Sequence, residues 1–149
     1  MPEKETIERA REEARQGKSP STQAGEFVRE EIHHVREGKH GAASTKQAIA
    51  IGLSKARRAG VQLPAPRAGR ASAQTTQQAN RDYAKGLSRS PKPSAARSRA
   101  TTEALKKEGH SAASHRSLSK QARASAKQRT SAARHNSAVK ASRTRHKNR

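Results

Sequence analysis

Four basic side chains recur at helical spacing in the last third of the chain and could bind phosphate groups. Arg116, Lys120, Arg123 and Lys127 follow one another at intervals of four, three and four residues. On an α-helix, which turns by about 100° per residue, this spacing places all four on one face. Positive side chains aligned in this way neutralise nucleic-acid phosphates, which adds affinity but reads little base sequence. The pattern therefore predicts an electrostatic nucleic-acid interface.

The positive charge of the chain is large and unevenly divided. The 149 residues carry 33 Lys and Arg against 12 Asp and Glu, a net charge of +21. Residues 1–38 hold nine acids and seven bases, whereas residues 39–149 hold three acids and 26 bases. A long basic tail of this kind favours a polyanion partner. We expect further phosphate contacts from basic residues of the third predicted helix and of the tail: Lys46, Lys55, Arg57, Arg58, Arg134, Lys140 and Arg143.

The sequence contains no complete motif for catalysis or metal binding. The chain has no cysteine, and Gly17-Lys18-Ser19 lacks the upstream glycine of a phosphate-binding loop. His33 and His34 are adjacent, so they project about 100° apart on a helix and cannot share one metal ion. We therefore expect no enzyme activity, no catalytic residues, no cofactor and no metal site.

Two other kinds of binding are also disfavoured by composition. Phe27 and Tyr83 are the only aromatic residues, too few for a stacking platform that binds single strands. No run of 18 apolar residues could span a membrane, and the first ten residues lack the apolar run of a signal peptide. We expect a cytoplasmic, nucleoid-associated protein with DNA as its main partner and no membrane contact.

Three short helices are predicted near the N-terminus, at about 3–16, 22–37 and 45–59. The second carries Val28, Ile32 and Val35 on one apolar face. Ser44 and Gln47 have the spacing of a capping box, which predicts that the third helix starts at about Thr45.

Gly52 lies in the middle of the third predicted helix, where glycine costs about 1 kcal/mol relative to alanine. It belongs to a strip of small residues with Ala48 and Ala56. We interpret Gly52 as the point where another backbone approaches closely. The simplest partner is the helix carrying Phe27–Val35, folded back as an antiparallel hairpin.

From Pro64 onward the sequence consists mainly of Ala, Ser, Lys, Arg, Gln and Thr. Its few large apolar residues cannot offset the entropy of ordering the chain. We predict a small all-α protein with a helical head at 1–63 and a largely disordered cationic tail at 64–149. Pro-containing linkers are predicted at the start of the tail and at 88–94. The tail should form only weak helical segments, at 75–86, 101–108 and 115–129.

The segment KQAIAIGLSKARRAG, residues 46–60, resembles a family of small basic bacterial proteins of uncharacterised function that share the pattern KQAIAIxLSxARRAG. The preceding STQAGEFVREEIHHVREG is also similar to that family, so the resemblance covers about residues 4–63 and, more loosely, the basic tail. Some members carry labels such as plasmid stabilisation or DNA-binding protein; the resemblance implies such a role and brings no catalytic residues. The matching motif positions are Lys46, Gln47, Ile49, Leu53, Ser54, Ala56, Arg57 and Gly60.

Three functional interpretations follow from the sequence. The first is a non-enzymatic accessory protein that coats or compacts DNA as a histone tail does, in chromosome or plasmid maintenance. The second is an RNA- or ribosome-associated protein, since ARHNSAVKASRTRHK is similar in composition to small ribosomal proteins. The third is a protein-interaction module whose head binds a partner through Glu26–Glu37, or self-associates, while the tail only localises it.

Overall fold

The computed structural model describes residues 1–88 and 94–147, and in this part of the chain the regular secondary structure is entirely helical. The all-α class expected from the sequence is confirmed. Seven α-helices follow one another, with a 3₁₀ turn at Ser111–Ala113 between the fifth and the sixth. Their bounds are α1 (Lys4–Arg15), α2 (Pro20–Arg36), α3 (Thr45–Arg58), α4 (Ala73–Leu87), α5 (Ala95–Lys106), α6 (His115–Lys127) and α7 (Ser131–Lys147).

The chain divides into two compact units. The N-terminal unit comprises Met1–Ser114 and the C-terminal unit comprises His115–Arg149. The division between the two units falls after Ser114. None of the helices in the described residues is both long and apolar enough to cross a bilayer.

Serine hydroxyl groups cap the N-termini of four helices in the N-terminal unit. Each accepts a hydrogen bond from the backbone N–H three residues later, which satisfies a donor that the helix leaves free. At α3 the cap is Ser44, and Gln47 Oε1 in turn accepts from Ala43 N at 2.7 Å. The start at Thr45 and the Ser44 cap are confirmed, whereas the return bond of Gln47 goes to Ala43 N and not to Ser44 N as a strict capping box requires. The other capping residues are Ser19, Ser72 and Ser94.

Helices α2 and α3 form an antiparallel hairpin whose interface is made of small residues. Ala48, Gly52 and Ala56 are all buried. A Cβ atom on Gly52 would lie 2.6 Å from Val28 Cα and 2.9 Å from Val28 N. The α2 backbone therefore occupies the space that any side chain at Gly52 would need, and the close-approach interpretation is confirmed.

The apolar core of the N-terminal unit surrounds Phe27, whose residue is only 1% exposed. Buried alanines from three helices meet there, and the chain after α3 closes the core with Val61. The residues packed around Phe27 are Ala10, Ala24, Ala56 and Val61, with Ile7, Leu53, Ala59 and Leu63 at the edge.

The prediction of a largely disordered tail is wrong, because part of the tail packs on the hairpin. In α4, Ala79 and Asp82 are buried, and Gly86 approaches the Arg57 carbonyl so closely that a Cβ atom has no room. Alanine also favours helix by its intrinsic propensity, which explains α5, α6 and α7 in this Ala-rich sequence. The linker expected at 88–94 lies, except for its two end residues, outside the described residues.

The end of α5 and the 3₁₀ turn after it are held to the hairpin, because their carbonyl groups accept hydrogen bonds from α2, from α3 and from the connection between them. Arg36 Nε donates to Ala113 O at 2.9 Å, and Thr45 Oγ1 donates to Ala112 O at 2.6 Å. Gly41 N donates to Leu105 O at 2.9 Å. The 3₁₀ turn and the end of α5 are therefore part of the N-terminal unit.

Candidate nucleic-acid interface

The four basic residues of α6 are all exposed. Arg116, Lys120, Arg123 and Lys127 share one face of the helix, and α6 contains no acidic residue. At 1.5 Å per residue the row extends over about 16 Å. The geometry of α6 is therefore that of a cationic ridge which several neighbouring phosphates could contact at once.

Helix α7 is basic on more than one side. Its five Lys and Arg residues are exposed, and their positions at 100° per residue divide them between opposite faces. One face carries Arg134 and Arg145, and the other carries Lys140, Arg143 and Lys147. The sequence of the C-terminal unit contains eleven Lys and Arg and no Asp or Glu, so α6 and α7 form a uniformly positive segment.

The basic residues of α3 lie in different surroundings. Lys46, in the first turn of α3, is exposed. Lys55 Nζ lies 2.6 Å from Glu31 Oε2 and 3.5 Å from Glu30 Oε1, and both carboxylates are buried. Lys55 thus compensates buried negative charge inside the hairpin.

Arg57 stabilises the chain as it leaves α3. Arg57 is only 7% exposed to solvent. Its Nε and Nη2 atoms donate hydrogen bonds to the carbonyls of Leu63 and Pro64 at 3.1 and 3.2 Å. Burial lowers the pKa of the Arg57 guanidinium. These contacts give Arg57 a structural role that the sequence motif does not reveal.

Arg58 belongs to a polar cluster around Asp82 that joins α3 to α4. The Asp82 side chain is 1% exposed and accepts hydrogen bonds from Arg58 Nε at 2.7 Å, Ser54 Oγ at 2.6 Å and Gln78 Nε2 at 3.1 Å. Burial acts to raise the pKa of Asp82, but the hydrogen bonds from Ser54, Arg58 and Gln78 outweigh it and lower that pKa. The sequence offered one signal for this cluster, a single aspartate in a strongly basic region.

Asp82→Asn should lower the free energy of unfolding of the N-terminal unit by about 1.5–3 kcal/mol at neutral pH, since it removes charge-assisted hydrogen bonds. Because the folded-state pKa is depressed, this stabilisation is complete above the unfolded-state pKa of about 3.9 and is lost as the pH falls through the folded-state pKa. Urea unfolding should show the gap between parent and variant narrowing below about pH 4.

Glu8→Gln is the matched control, because Glu8 is an exposed acid on α1 and its neutralisation should change stability by less than about 0.5 kcal/mol. A gap between parent and Asp82→Asn that stays constant into the acid range would contradict an ionised Asp82.

In comparison with known proteins, residues 4–67 match a family model described as "Family of unknown function (DUF6496)". The matched region contains α1, α2 and α3 and ends before α4. It agrees with the expected resemblance of the helical head to an uncharacterised family, and the family description names no activity or partner. No curated protein and no solved structure matches the chain significantly.

Proposed function

We propose that this is a non-enzymatic nucleic-acid-binding accessory protein whose C-terminal unit binds phosphate backbones electrostatically. One observation carries the proposal: the exposed Lys and Arg side chains of α6 and α7 stand on helices without a single acidic residue. Helices without acidic residues provide no opposite charge of their own, so the nearest chemical complement of such a surface is a polyanion.

Duplex DNA is the polyanion that fits α6 best. The major groove of B-DNA is about 12 Å wide and admits an α-helix, whereas the major groove of A-form RNA is deep and narrow. Phe27 is buried in the core, so it offers no stacking surface for the unpaired bases that RNA readers bind. We therefore favour DNA as partner, with RNA as the alternative that the experiment must separate.

The proposed contact set follows the exposure of the basic residues. Lys55, Arg57 and Arg58 make intramolecular contacts that the fold needs, so we assign them structural roles. Of the basic residues that the sequence assigned to phosphate contacts, the proposed set keeps the other exposed ones: Lys46 in the N-terminal unit and, in the C-terminal unit, Arg116, Lys120, Arg123, Lys127, Arg134, Lys140 and Arg143.

The protein-interaction alternative loses support from the contacts of its acidic residues. Glu26 Oε2 lies 2.7 Å from Arg9 Nε, and Glu30 and Glu31 are buried against Lys55. These carboxylates are engaged within the N-terminal unit, so they are poor candidates for a docking surface.

Phosphate contact without base readout favours a protein that coats DNA over one that selects a site. This supports a role in DNA compaction, association with the nucleoid, and chromosome or plasmid maintenance as the biological setting of the proposed function.

Competition binding tests the proposal. A fluorescently labelled duplex of random sequence should bind the full chain at low salt, and unlabelled duplexes of unrelated sequence should compete within a few-fold. An RNA duplex should compete less well. An RNA duplex that competes better than DNA would make RNA the partner, and a chain that binds neither duplex would overturn the proposed function.

A further inference from the structure

Glu31, His34 and His40 bring two imidazoles and one carboxylate together inside the N-terminal unit. Glu31 and His34 are three residues apart on α2, and His40 comes from the connection between α2 and α3. One ligand atom from each residue lies within 4.8 Å of the other two. Ligand atoms on a tetrahedral Zn²⁺ are about 3.3 Å apart, since the bonds are about 2.0–2.1 Å long. His40 Nε2 and Glu31 Oε1 already lie 3.2 Å apart.

Each imidazole is held through one nitrogen, which fixes the role of the other. His34 Nε2 lies 2.9 Å from Glu3 Oε1, and His40 Nδ1 lies 3.0 Å from Gly41 O. A carboxylate and a carbonyl only accept, so these two nitrogens are the donors. In the neutral rings His34 Nδ1 and His40 Nε2 then carry lone pairs. Metal-binding histidines are oriented by such contacts to carboxylates and backbone carbonyls.

The position of His40 is fixed by its neighbour in the chain. Gly41 N donates to Leu105 O, and Gly41 lies so close to the Glu108 carbonyl that a Cβ atom has no room. The residue next to His40 therefore cannot move freely, and the three ligand groups are held near one another before any ion binds.

The buried negative charge around Glu31 favours the binding of a cation. Glu31 is fully buried and Glu30 nearly so, and the two carboxylates contact one ammonium group, that of Lys55. If the histidines are neutral, Glu30, Glu31 and Lys55 together carry one excess negative charge away from water, which is unfavourable. In that neutral state His40 Nε2 faces Glu31 Oε1 at 3.2 Å with one lone pair against another, and a bound cation, either a proton or a metal ion, would make the contact attractive.

We propose that Glu31, His34 and His40 form a binding site for a divalent transition-metal ion, with Zn²⁺ as its first candidate. Two imidazoles and one carboxylate suit Zn²⁺, and the fourth position is left to water. The ion links the last turns of α2 to the connection that leads into α3. The site goes beyond the proposed function, because it needs no nucleic acid.

The prediction of no metal site did not take His40 into account. The adjacency of His33 and His34 excludes only a site shared by that pair, and His33 is exposed and does not belong to the cluster. The true neighbour of His34 is His40, with ring centroids 6.1 Å apart. The Glu-x-x-His spacing of Glu31 and His34 on one helix was the available signal.

Titration calorimetry on the full chain, stripped of metal with a chelator, should show one tight Zn²⁺ equivalent that Mg²⁺ does not displace. His34→Gln and His40→Gln should each weaken Zn²⁺ binding by more than about 100-fold, the upper end of the loss seen for outer-shell partners of metal ligands. His33→Gln is the matched control and should bind as the parent does. Equal affinity in His33→Gln, His34→Gln and His40→Gln would overturn the site.

The parent protein provides a test that no variant can confuse. On addition of Zn²⁺, the imidazole ¹⁵N resonances of two histidines should shift strongly, and they should be those of His34 and His40. Shifts confined to the other histidines, or no shift at one equivalent, would overturn the proposal.

Lys55→Gln should bind Zn²⁺ more tightly because it removes the cation that competes for Glu31, and an unchanged affinity would exclude Glu31 as a ligand.

Discussion

Gly52→Leu should unfold the N-terminal unit under conditions in which the parent chain is folded, because the new side chain must displace the α2 backbone. Even Gly52→Ala should lower the free energy of unfolding by about 1–3 kcal/mol, the usual cost of overpacking. Its Cβ atom would lie 2.6 Å from Val28 Cα, and backbone cannot rotate away as a flexible side chain can. The gain of about 1 kcal/mol in helix propensity is too small to reverse this cost. Thermal and urea unfolding followed by circular dichroism measure both variants.

Gly25→Ala is the matched control within the same hairpin. Gly25 also lies inside a helix, α2, but it is exposed and a Cβ atom there would have no neighbour within 4 Å. Its substitution should raise the free energy of unfolding by about 0.5–1 kcal/mol. If Gly52→Ala and Gly25→Ala stabilised the protein alike, the close packing of α2 on α3 would be wrong.

The sequence alone predicted the hairpin well because its signals are local. A capping box fixed the start of α3 at Thr45, and the glycine inside an otherwise good helix indicated a close backbone approach. Sequence alone does not show whether Gly52→Ala stabilises or destabilises the protein. The answer depends on a few tenths of an ångström in the distance between the new Cβ atom and the α2 backbone, which residue spacing cannot supply.

The extent of the N-terminal unit could not be predicted in the same way. A count of large apolar residues suggested that the chain after Pro64 would be largely disordered. In the structure, Ala112 and Ala113 are buried, and their carbonyls accept hydrogen bonds from Thr45 and Arg36. Such contacts depend on backbone groups and on small residues that leave space for them, so composition underestimates them.

The sequence could indicate the arrangement of the basic residues only where that arrangement depends on a single helix. The α6 ridge depends on spacing within one helix, and the sequence predicted it directly. Arg58 looked equivalent, but its partner Asp82 is 24 residues away in the chain. Lys55 likewise meets Glu30 from 25 residues away. Only the fold shows that these two basic residues are paired with buried carboxylates.

If α6 and α7 bind phosphates, the affinity for duplex DNA should fall steeply with salt. Engagement of about six to eight of the proposed contact residues gives a slope of log K against log salt of about −5 to −7. Changing Arg116, Lys120, Arg123 and Lys127 together to Gln should flatten that slope by up to about 3–4 units, because each lost phosphate contact removes about 0.9. Fluorescence anisotropy over a series of salt concentrations gives the slope, and circular dichroism shows that the N-terminal unit stays folded.

A control with the same loss of charge separates a local interface from the net charge of the whole chain. Lys4, Arg11, Arg67 and Arg70 are exposed basic residues of the N-terminal unit outside the proposed contact set. Their joint change to Gln also removes four positive charges. It should nevertheless alter the slope by less than about one unit, because the number of counterions released depends on the phosphate contacts made and not on the total charge. Equal flattening of the slope by both variants would mean that the affinity for DNA depends only on the net charge of the chain. A steep slope that survives the loss of the α6 residues would place the binding surface elsewhere in the chain.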